Sequence, residues 1–449
     1  MINGAEIMVN ALKKEGTRVV FGYPGAAICP FFDAVYRDGG IETILVRQEQ
    51  NAGHAASGYA RAGNTVGVCA VTSGPGATNL ITAIASAYID SIPMVAITGQ
   101  VHSWLIGRDA FQEADITGAC EPFTKNSYLV KNVADLPQII KEAFYLAKTG
   151  RPGPVLIDVP IDIQLMQIEP PAYPDSVHIT GYQPSINGND LQIKRACELI
   201  EKSKKPLILS GGGLFLSDNA IEQLRILIEK TEIPQICTMM ALGALPSEHK
   251  LNLGMLGMHG SAAANAAVSN ADLILICGAR LGDRSLPSAD RIHKSTNVIH
   301  IDVDPAEIGK NADYTVPIVG DLAHVIKKIN ERINYTCPDK WTELCLSRRL
   351  PMGFESNSSQ INPKNFISRL TDKLDENCIY CADVGQNQIW SANYHKIKGG
   401  RFLTSGGMGT MGYSLSAAMG AKLAKNDVQC IAVCGDGSFQ MQFMELATM

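Results

Sequence analysis

The sequence lacks any run of roughly 18 consecutive apolar residues, the length that a membrane-spanning helix requires. It also lacks a surplus of positive charge, since 39 Lys and Arg stand against 44 Asp and Glu for a formal net charge of −5. That balance leaves no basic footprint for nucleic acid, and no basic amphipathic segment suggests a membrane surface. The first residues, MINGAEIMVNALKKEG, are interrupted by Glu6, Lys13 and Lys14, a pattern expected of neither a signal peptide nor a membrane span. A second metal-ligand pair is missing as well, because Cys378-Ile-Tyr-Cys381 is one CxxC with no partner pair at a zinc spacing. The remaining cysteines are scattered, several in strand-like runs (Cys69, Cys277, Cys430, Cys434), where they read as reduced core residues. The expected compartment is the cytoplasm.

What is present is glycine, 41 residues of it, in a chain that is 46% hydrophobic, which suits an α/β protein. The length of 449 residues suggests about three domains. Over residues 1–165, helical patterns alternate with short β runs at Val19–Phe21, Ile44–Val46, Val66–Val71, Pro93–Thr98 and Pro154–Val159. Such alternation predicts a parallel sheet with helices on both faces, where ligands gather at the strands' C-terminal ends. That places Gly25, Glu49 and the loop Gly74-Pro-Gly-Ala-Thr-Asn79 on one rim. Residues 167–190 read as a linker rich in Pro, Gly, Asn and Ser. A second unit over 190–332 has strands at Pro206–Leu209, Leu273–Cys277 and Val298–Val303, two ending at glycines and the third at an aspartate, which suits a nucleotide-binding layer. Residues 333–362 read as another linker, loose at Gly353 and Ser356–Asn362, before a third unit over 362–449.

Two carboxylates draw attention. Glu49 follows an apolar strand and precedes the small-residue run NAGHAASGYARA, so burial is expected, and a buried carboxyl can trade protons near neutral pH. The competing reading is a surface residue at a strand end, or a structural partner for Arg47. Asp436 lies between two glycines after the apolar run Ile431–Cys434, which reads as a buried strand. That is a place for Mg²⁺, which takes oxygen ligands and is shared between a protein carboxylate and phosphates. The competing reading is an ordinary Asp-Gly turn. Gly407-Met-Gly409-Thr-Met-Gly412 also satisfies G-x-G-x-x-G, which would suit a nicotinamide-dependent oxidoreductase with Asp436 on a ribose. The segment Arg401–Ser405 before it is short and polar for a buried strand, which weighs against that reading.

Taken in order, RQEQNAGHAASGYARA, VTSGPGATN, FQE, GRPGPVLIDVP, LGMLGMHG, ADLILICGAR, DVGQNQIW, TSGGMGTMG and GDGSFQM resemble thiamine-diphosphate enzymes of the acetohydroxyacid (acetolactate) synthase large-subunit type. The resemblance runs over essentially the whole chain. It implies three doubly wound parallel-sheet domains: pyrimidine-binding (1–165), central and FAD-associated (190–332), and diphosphate-binding (362–449), the last incomplete. It implies that Glu49 exchanges a proton with the aminopyrimidine of thiamine diphosphate. Gly25, Gly385, Gln386, Gly409, Met411, Gly435, Gly437 and Ser438 would line that cofactor, Met411 propping its bent form, and Asp436 would bind Mg²⁺. Phe111, Gln112 and Arg284 would serve the second 2-ketoacid, a guanidinium being suited to a carboxylate. FAD contacts would come from Arg151, His259, Gly260, Gly278, Arg280, Asp302 and Asp321, with the flavin structural. The implied reaction is decarboxylation of pyruvate and carboligation to pyruvate or 2-ketobutyrate, in branched-chain amino-acid biosynthesis. The implied assembly is a homodimer or homotetramer with a small regulatory subunit. Another thiamine-diphosphate 2-ketoacid decarboxylase or oxidase, or a non-catalytic binding fragment, are the alternatives.

The chain departs from the family pattern in places. Ala26 stands for a second glycine, Asn387 for a histidine, Ile161 for a lysine, Leu281-Gly282 for Phe-Asp, and Ser414 and Ser416 for a glycine and a proline. The family's diphosphate motif closes with an asparagine pair beyond the position where this sequence stops at Met449. The expectation is therefore a synthase fragment whose activity depends on that further segment.

Overall fold

Runs such as GVCAV and PVLIDVP, rich in β-branched residues and almost free of charge, suit strands buried on both faces of a parallel sheet. In the computed structural model, which describes residues 1–288, 291–349 and 361–449, they are such strands. The chain divides into two compact units: residues 1–182, 379–385 and 403–449 form the first, and residues 183–378 and 386–402 the second.

Eight short strands occupy the beginning of the first unit: β1 (Ile2–Asn3), β2 (Val19–Tyr23), β3 (Glu42–Leu45), β4 (Gly67–Val71), β5 (Met94–Gln100), β6 (Asn126–Leu129), β7 (Pro154–Pro160) and β8 (Gln167–Ile168). Six form an all-parallel sheet in the order β3-β2-β4-β5-β7-β6. The order reverses between β2 and β4, so the carboxyl ends of those two strands frame the crevice where such sheets bind ligands. β8 pairs antiparallel with β1, and Tyr173, Ile179 and Tyr182 pack against the core, so the first part of the expected linker is irregular but docked.

The second unit carries β9 (Pro206–Ser210), β10 (Gln235–Cys237), β11 (Asn252–Met255), β12 (Leu273–Cys277), β13 (Asn297–Asp302) and β14 (Val316–Val319). All pair in parallel, in the order β11-β10-β9-β12-β13-β14, the order of a dinucleotide-binding doubly wound sheet. The expected second linker is corrected here. Asp339–Leu346 is a helix whose Trp341 and Cys345 enter this unit's core, and Trp341 Nε1 donates to the Pro206 carbonyl at 2.8 Å. Spaced apolar side chains in a short polar segment hid that helix. Gly353 and Ser356 to Gln360 lie outside the described residues.

The remaining strands, β15 (Ile379–Ala382), β16 (Arg401–Leu403) and β17 (Cys430–Val433), belong to a three-stranded sheet in which β15 and β17 run parallel. β16 is a strand despite its polar surroundings, with Phe402 and Leu403 buried. β17, expected to be buried, is only half-buried along its length because it is an edge strand. The same position leaves Cys430 and Cys434 half-buried and Cys29 is exposed, while the other nine cysteines are buried and all twelve are free thiols. No helix among the described residues is long and apolar enough to cross a membrane.

Candidate cofactor and substrate site

The β2–β4 crevice is lined by backbone. After β2 the chain turns at Pro24-Gly25, and a Cβ on Gly25 would stand 2.6 Å from the Thr72 side chain just beyond β4. A Cβ on Gly76 would meet Thr72 Cγ2 at 2.7 Å and Glu49 Oε1 at 3.4 Å. Gly25, Thr72, Gly76 and Glu49 therefore converge on one place. Among the described residues the buried Thr72 Oγ1 has no hydrogen-bond partner there, a polar atom of the kind that a bound heterocycle satisfies. A flat ring with hydrogen-bonding edges, such as an aminopyrimidine, fits this cradle.

Glu49 is the first residue of the helix Glu49–Gly63, and its Oε2 accepts from Asn79 Nδ2 at 3.0 Å. It is half-buried, the partly buried setting expected of a proton-trading acid, but at a helix start and not at a strand end. The reason is that β3 is an edge strand that stops at Leu45, leaving a short turn before the helix. Among the described residues it forms no ion pair with Arg47, whose backbone N–H instead donates to Glu445. Further along the same helix, His54 is fully buried, and burial pushes its imidazole down to about 4, against a smaller opposing pull from the Asp383 carboxylate. It is neutral at physiological pH, edge-on to the Tyr413 ring at 5.3 Å.

Phe111 and Gln112 lie on the loop 101–115, between β5 and the helix Ile116–Cys120. Phe111 is 88% exposed. Gln112 is half-buried with a left-handed φ of 59°. It packs on Gly74 (φ 56°), where a Cβ would stand 2.8 Å from Gln112 Cβ and carbonyl oxygen, so both the conformation and the close approach require glycine. Gln112 and the crevice thus share one rim of the first unit.

The loop from Thr404 to Gly412 is held from several sides. Buried Asp383 accepts from the Gly412 and Ser414 N–H groups, both at 2.9 Å, and from Ser414 Oγ at 2.8 Å. Asp90 accepts from the N–H groups of Gly406 and Gly407 at 2.9 and 2.8 Å. Arg61, buried, donates to the Thr404 carbonyl at 2.7 Å and to Tyr413 Oη at 3.1 Å. Within this loop Gly409 faces open space, and Met411 is 39% exposed, its Cε 3.4 Å from where a Cβ would stand on Gly437. Met411 and the 435–438 turn therefore come together. Asp436, exposed, begins the short helix Asp436–Gln442, and Ser438 is buried with Oγ donating to the Val384 carbonyl at 3.3 Å. One exposed carboxylate among glycines fits a hard cation that takes its other ligands from phosphate and water. Gly385 is exposed nearby in sequence, with φ 133°.

Sequence reasoning gave no role to Asp383, Asp90, Arg61 or Thr72. Asp383 carried the same signal as Asp436, an acid ending an apolar strand. Asp90 carried none, since its partners lie more than 300 residues away.

The other expected residues stand in the second unit, except Arg151, which belongs to the first and donates through Nε to Ser91 Oγ at 2.9 Å. Gln386 is exposed at the start of the helix Gln386–Tyr394. Arg284 is exposed, its Nη1 3.7 Å from Met258 Sδ and its Nε 3.7 Å from Asp283. The sheet's order reverses between β9 and β12, where Gly211 N–H donates to the Cys277 carbonyl and Gly278 has φ 63°. Ser210 Oγ is buried there without a partner among the described residues, which fits a nucleotide laid across the crevice. Around it, Arg280 is half-buried, Asp302 is buried and accepts from Asp304 N–H at 2.9 Å, and Asp321 caps the helix Leu322–Arg332. The His259 carbonyl accepts from Asn393 Nδ2, and Gly260 sits against the Met255 carbonyl, too close for a side chain.

Three family signatures match the chain: the N-terminal TPP binding domain of thiamine pyrophosphate enzymes over residues 2–119, their central domain over 193–329, and their C-terminal TPP binding domain over 383–449. The whole chain is 44% identical to the acetolactate synthase large subunit of Corynebacterium glutamicum, covering 72% of that protein. It is 43% identical to the acetolactate synthase large subunit of Buchnera aphidicola and 44% identical to the acetolactate synthase of Mycobacterium bovis, covering 80% and 74% of them. With identity of this level along its full length, and a thiamine-binding signature over both halves of the crevice-bearing unit, the chain belongs to the acetolactate synthase large-subunit family of thiamine-diphosphate-dependent enzymes.

Proposed function

We propose that this protein is an acetolactate synthase large subunit that decarboxylates pyruvate and joins the remaining two-carbon unit to a second 2-ketoacid, pyruvate or 2-ketobutyrate. The observation that carries the reading is the convergence of Gly25, Thr72, Gly76 and Glu49 at the β2–β4 crevice, in a chain that is similar to such enzymes along all of its own residues. Thiamine diphosphate supplies the electron sink that stabilises an acyl carbanion.

The chain's own residues bind, orient and move protons. Glu49 holds and exchanges a proton at the aminopyrimidine N1′, its carboxylate oriented by Asn79. Gly25 and Gly76 let the ring approach the backbone. Met411, beside the 435–438 turn, would pack against the bound cofactor. Asp436 would ligate Mg²⁺, while Gly385, Gly409, Gly435, Gly437 and Ser438 would receive the diphosphate; Gln386 is a further candidate from the second unit. Phe111 and Gln112 present a partly apolar wall to the incoming 2-ketoacid, and in the second unit Arg284 offers a guanidinium suited to a 2-ketoacid carboxylate. FAD, as a structural group, would lie along the second unit's crevice against Gly278, Arg280, Asp302 and Asp321, with His259 and Gly260 as further contacts.

In this reading residues 1–165 are the pyrimidine domain, 190–332 the flavin domain and 362–449 the diphosphate domain. The working form is a homodimer or homotetramer in the cytoplasm, and the "large subunit" of the relatives' names argues for a small regulatory partner. The pathway is valine and isoleucine biosynthesis. The test is incubation with pyruvate, thiamine diphosphate, Mg²⁺ and FAD. Acetolactate is the expected product. Acetaldehyde or acetyl phosphate would instead mark a decarboxylase or oxidase, and saturable cofactor binding without product would mark a non-catalytic chain.

A further inference from the structure

The loop 101–115 carries Phe111 and Gln112, yet its only regular structure is one 3-10 turn at Ser103–Leu105. It is nevertheless tied down at several points. At its start, Asp162 accepts from the Ser103 N–H at 2.8 Å and from Ser103 Oγ at 2.6 Å. In its middle, Glu113 accepts from the N–H groups of Gly107 and Ala110. Its two ends are joined through one buried side chain. Gln100, the last residue of β5, accepts from Val101 N–H through Oε1 at 2.9 Å and donates through Nε2 to the Ala114 carbonyl at 2.9 Å. The same Nε2 donates to Asp158 Oδ2 at 2.9 Å, and Thr98 Oγ1 donates to Asp158 Oδ1 at 2.6 Å.

Asp158 is 1% exposed and interrupts the apolar strand β7. A carboxyl in the middle of such a strand is costly unless hydrogen bonds satisfy it, and here both oxygens are used to fix Gln100 and Thr98. The Gln100 amide is thereby locked in one orientation, with its oxygen toward Val101 and its nitrogen toward Ala114. A flipped amide would break both bonds. The pair thus closes the loop at its base, while its second half rests on Gly74 through Gln112.

We propose that Gln100 and Asp158 are positioning residues for the acceptor 2-ketoacid: they do not touch it, but they set where Phe111 and Gln112 stand. The inference rests on the reading of Phe111 and Gln112 as the acceptor wall. Small displacements of such a wall cost about one to two orders of magnitude in the step that it orients.

The experiment uses the holoenzyme given a fixed mixture of pyruvate and 2-ketobutyrate. The ratio of acetohydroxybutyrate to acetolactate is read alongside thiamine diphosphate affinity and hydrogen exchange of the 101–115 amides. Gln100→Ala and Asp158→Ala should shift the ratio about tenfold and speed exchange across 101–115, with cofactor affinity unchanged. Asp158→Asn, which can still accept from Gln100 and donate to Thr98, should stay near wild type. A merely structural role would lower both products equally and leave the ratio fixed. Asp162→Ala, which loosens the loop at Ser103 without touching the Gln100–Asp158 pair, should move the ratio in the same direction even where Gln100→Ala does not fold. A wild-type ratio in these variants beside a shifted ratio in Phe111→Ala would overturn the proposal alone. A wild-type ratio in Phe111→Ala and Gln112→Ala would overturn the acceptor reading, and the positioning role with it.

Discussion

Asn51 Nδ2 donates a 2.7 Å hydrogen bond to Glu445 Oε1, joining two fully buried side chains 394 residues apart in sequence. The same oxygen accepts from Arg47 N–H at 2.8 Å, while Oε2 accepts from Thr448 Oγ1 at 2.7 Å. Asn51 and Arg47 flank Glu49, so one carboxylate fixes both the turn into the Glu49 helix and the helix's first turn. Two N–H donors close to the proposed proton-exchanging acid thus depend on a residue near Met449.

Glu445→Ala leaves the buried Asn51 amide and the part-buried Arg47 N–H without this acceptor. The expected loss is about 2–3 kcal/mol of stability, from the desolvation of unpaired polar groups. Urea unfolding of the variant against wild type measures it. A loss under about 0.5 kcal/mol, the scale of an ordinary surface change, would mean that the contact carries no weight.

Glu49→Gln separates chemistry from folding. Glutamine can still accept from Asn79 Nδ2, and the site is only half-buried, so the melting temperature should hardly change. The carboligation rate should fall by about 10²-fold or more, the range of a lost acid–base group. An unchanged rate would remove Glu49 from the proton path.

Much of this was legible in the sequence because strand ends announce themselves. β4, β5, β7, β9, β12 and β15 begin and end within about two residues of where apolar runs meet glycine or acid, the usual uncertainty of boundaries. What escaped has physical causes. β10, β11 and β14 are only three or four residues long, too short for a pattern to emerge. Val46 was read as part of β3, whereas edge pairing ends at Leu45 and so makes Glu49 a helix residue. The ties of Asp90 to Gly406 and of Asn51 to Glu445 connect opposite ends of the sequence, and no local signal encodes them.

Asp436→Ala tests the cation. The side chain is exposed, so folding should be unaffected. The Mg²⁺ concentration needed for half-maximal activity should rise at least about tenfold, as expected when a direct carboxylate ligand is removed. Wild-type activity should vanish with EDTA and return with Mg²⁺. An unchanged Mg²⁺ requirement in the variant would place the metal elsewhere.

Asp158 gives a prediction in pH. Burial pushes its carboxyl up to about 7, against the opposing hydrogen bonds from Thr98 and Gln100, with a smaller upward push from the Asp115 carboxylate. Between the unfolded value near 3.8 and about 7, the native state therefore holds more protons than the unfolded chain. Stability from this group is full below the unfolded value, falls as pH rises through that window, and stays low above it, by at most about 4 kcal/mol. His54 and His395 act in the opposite sense, since burial lowers both to about 4 and stability is lost as pH falls from 6.5 toward that value. Their contributions cancel when wild type is compared with Asp158→Asn, whose amide does not titrate. Unfolding free energies measured from pH 4 to pH 8 should therefore show the variant gaining on wild type steadily up to about pH 7 and levelling off beyond it. A difference that does not change with pH would mean that Asp158 is not the proton-binding group.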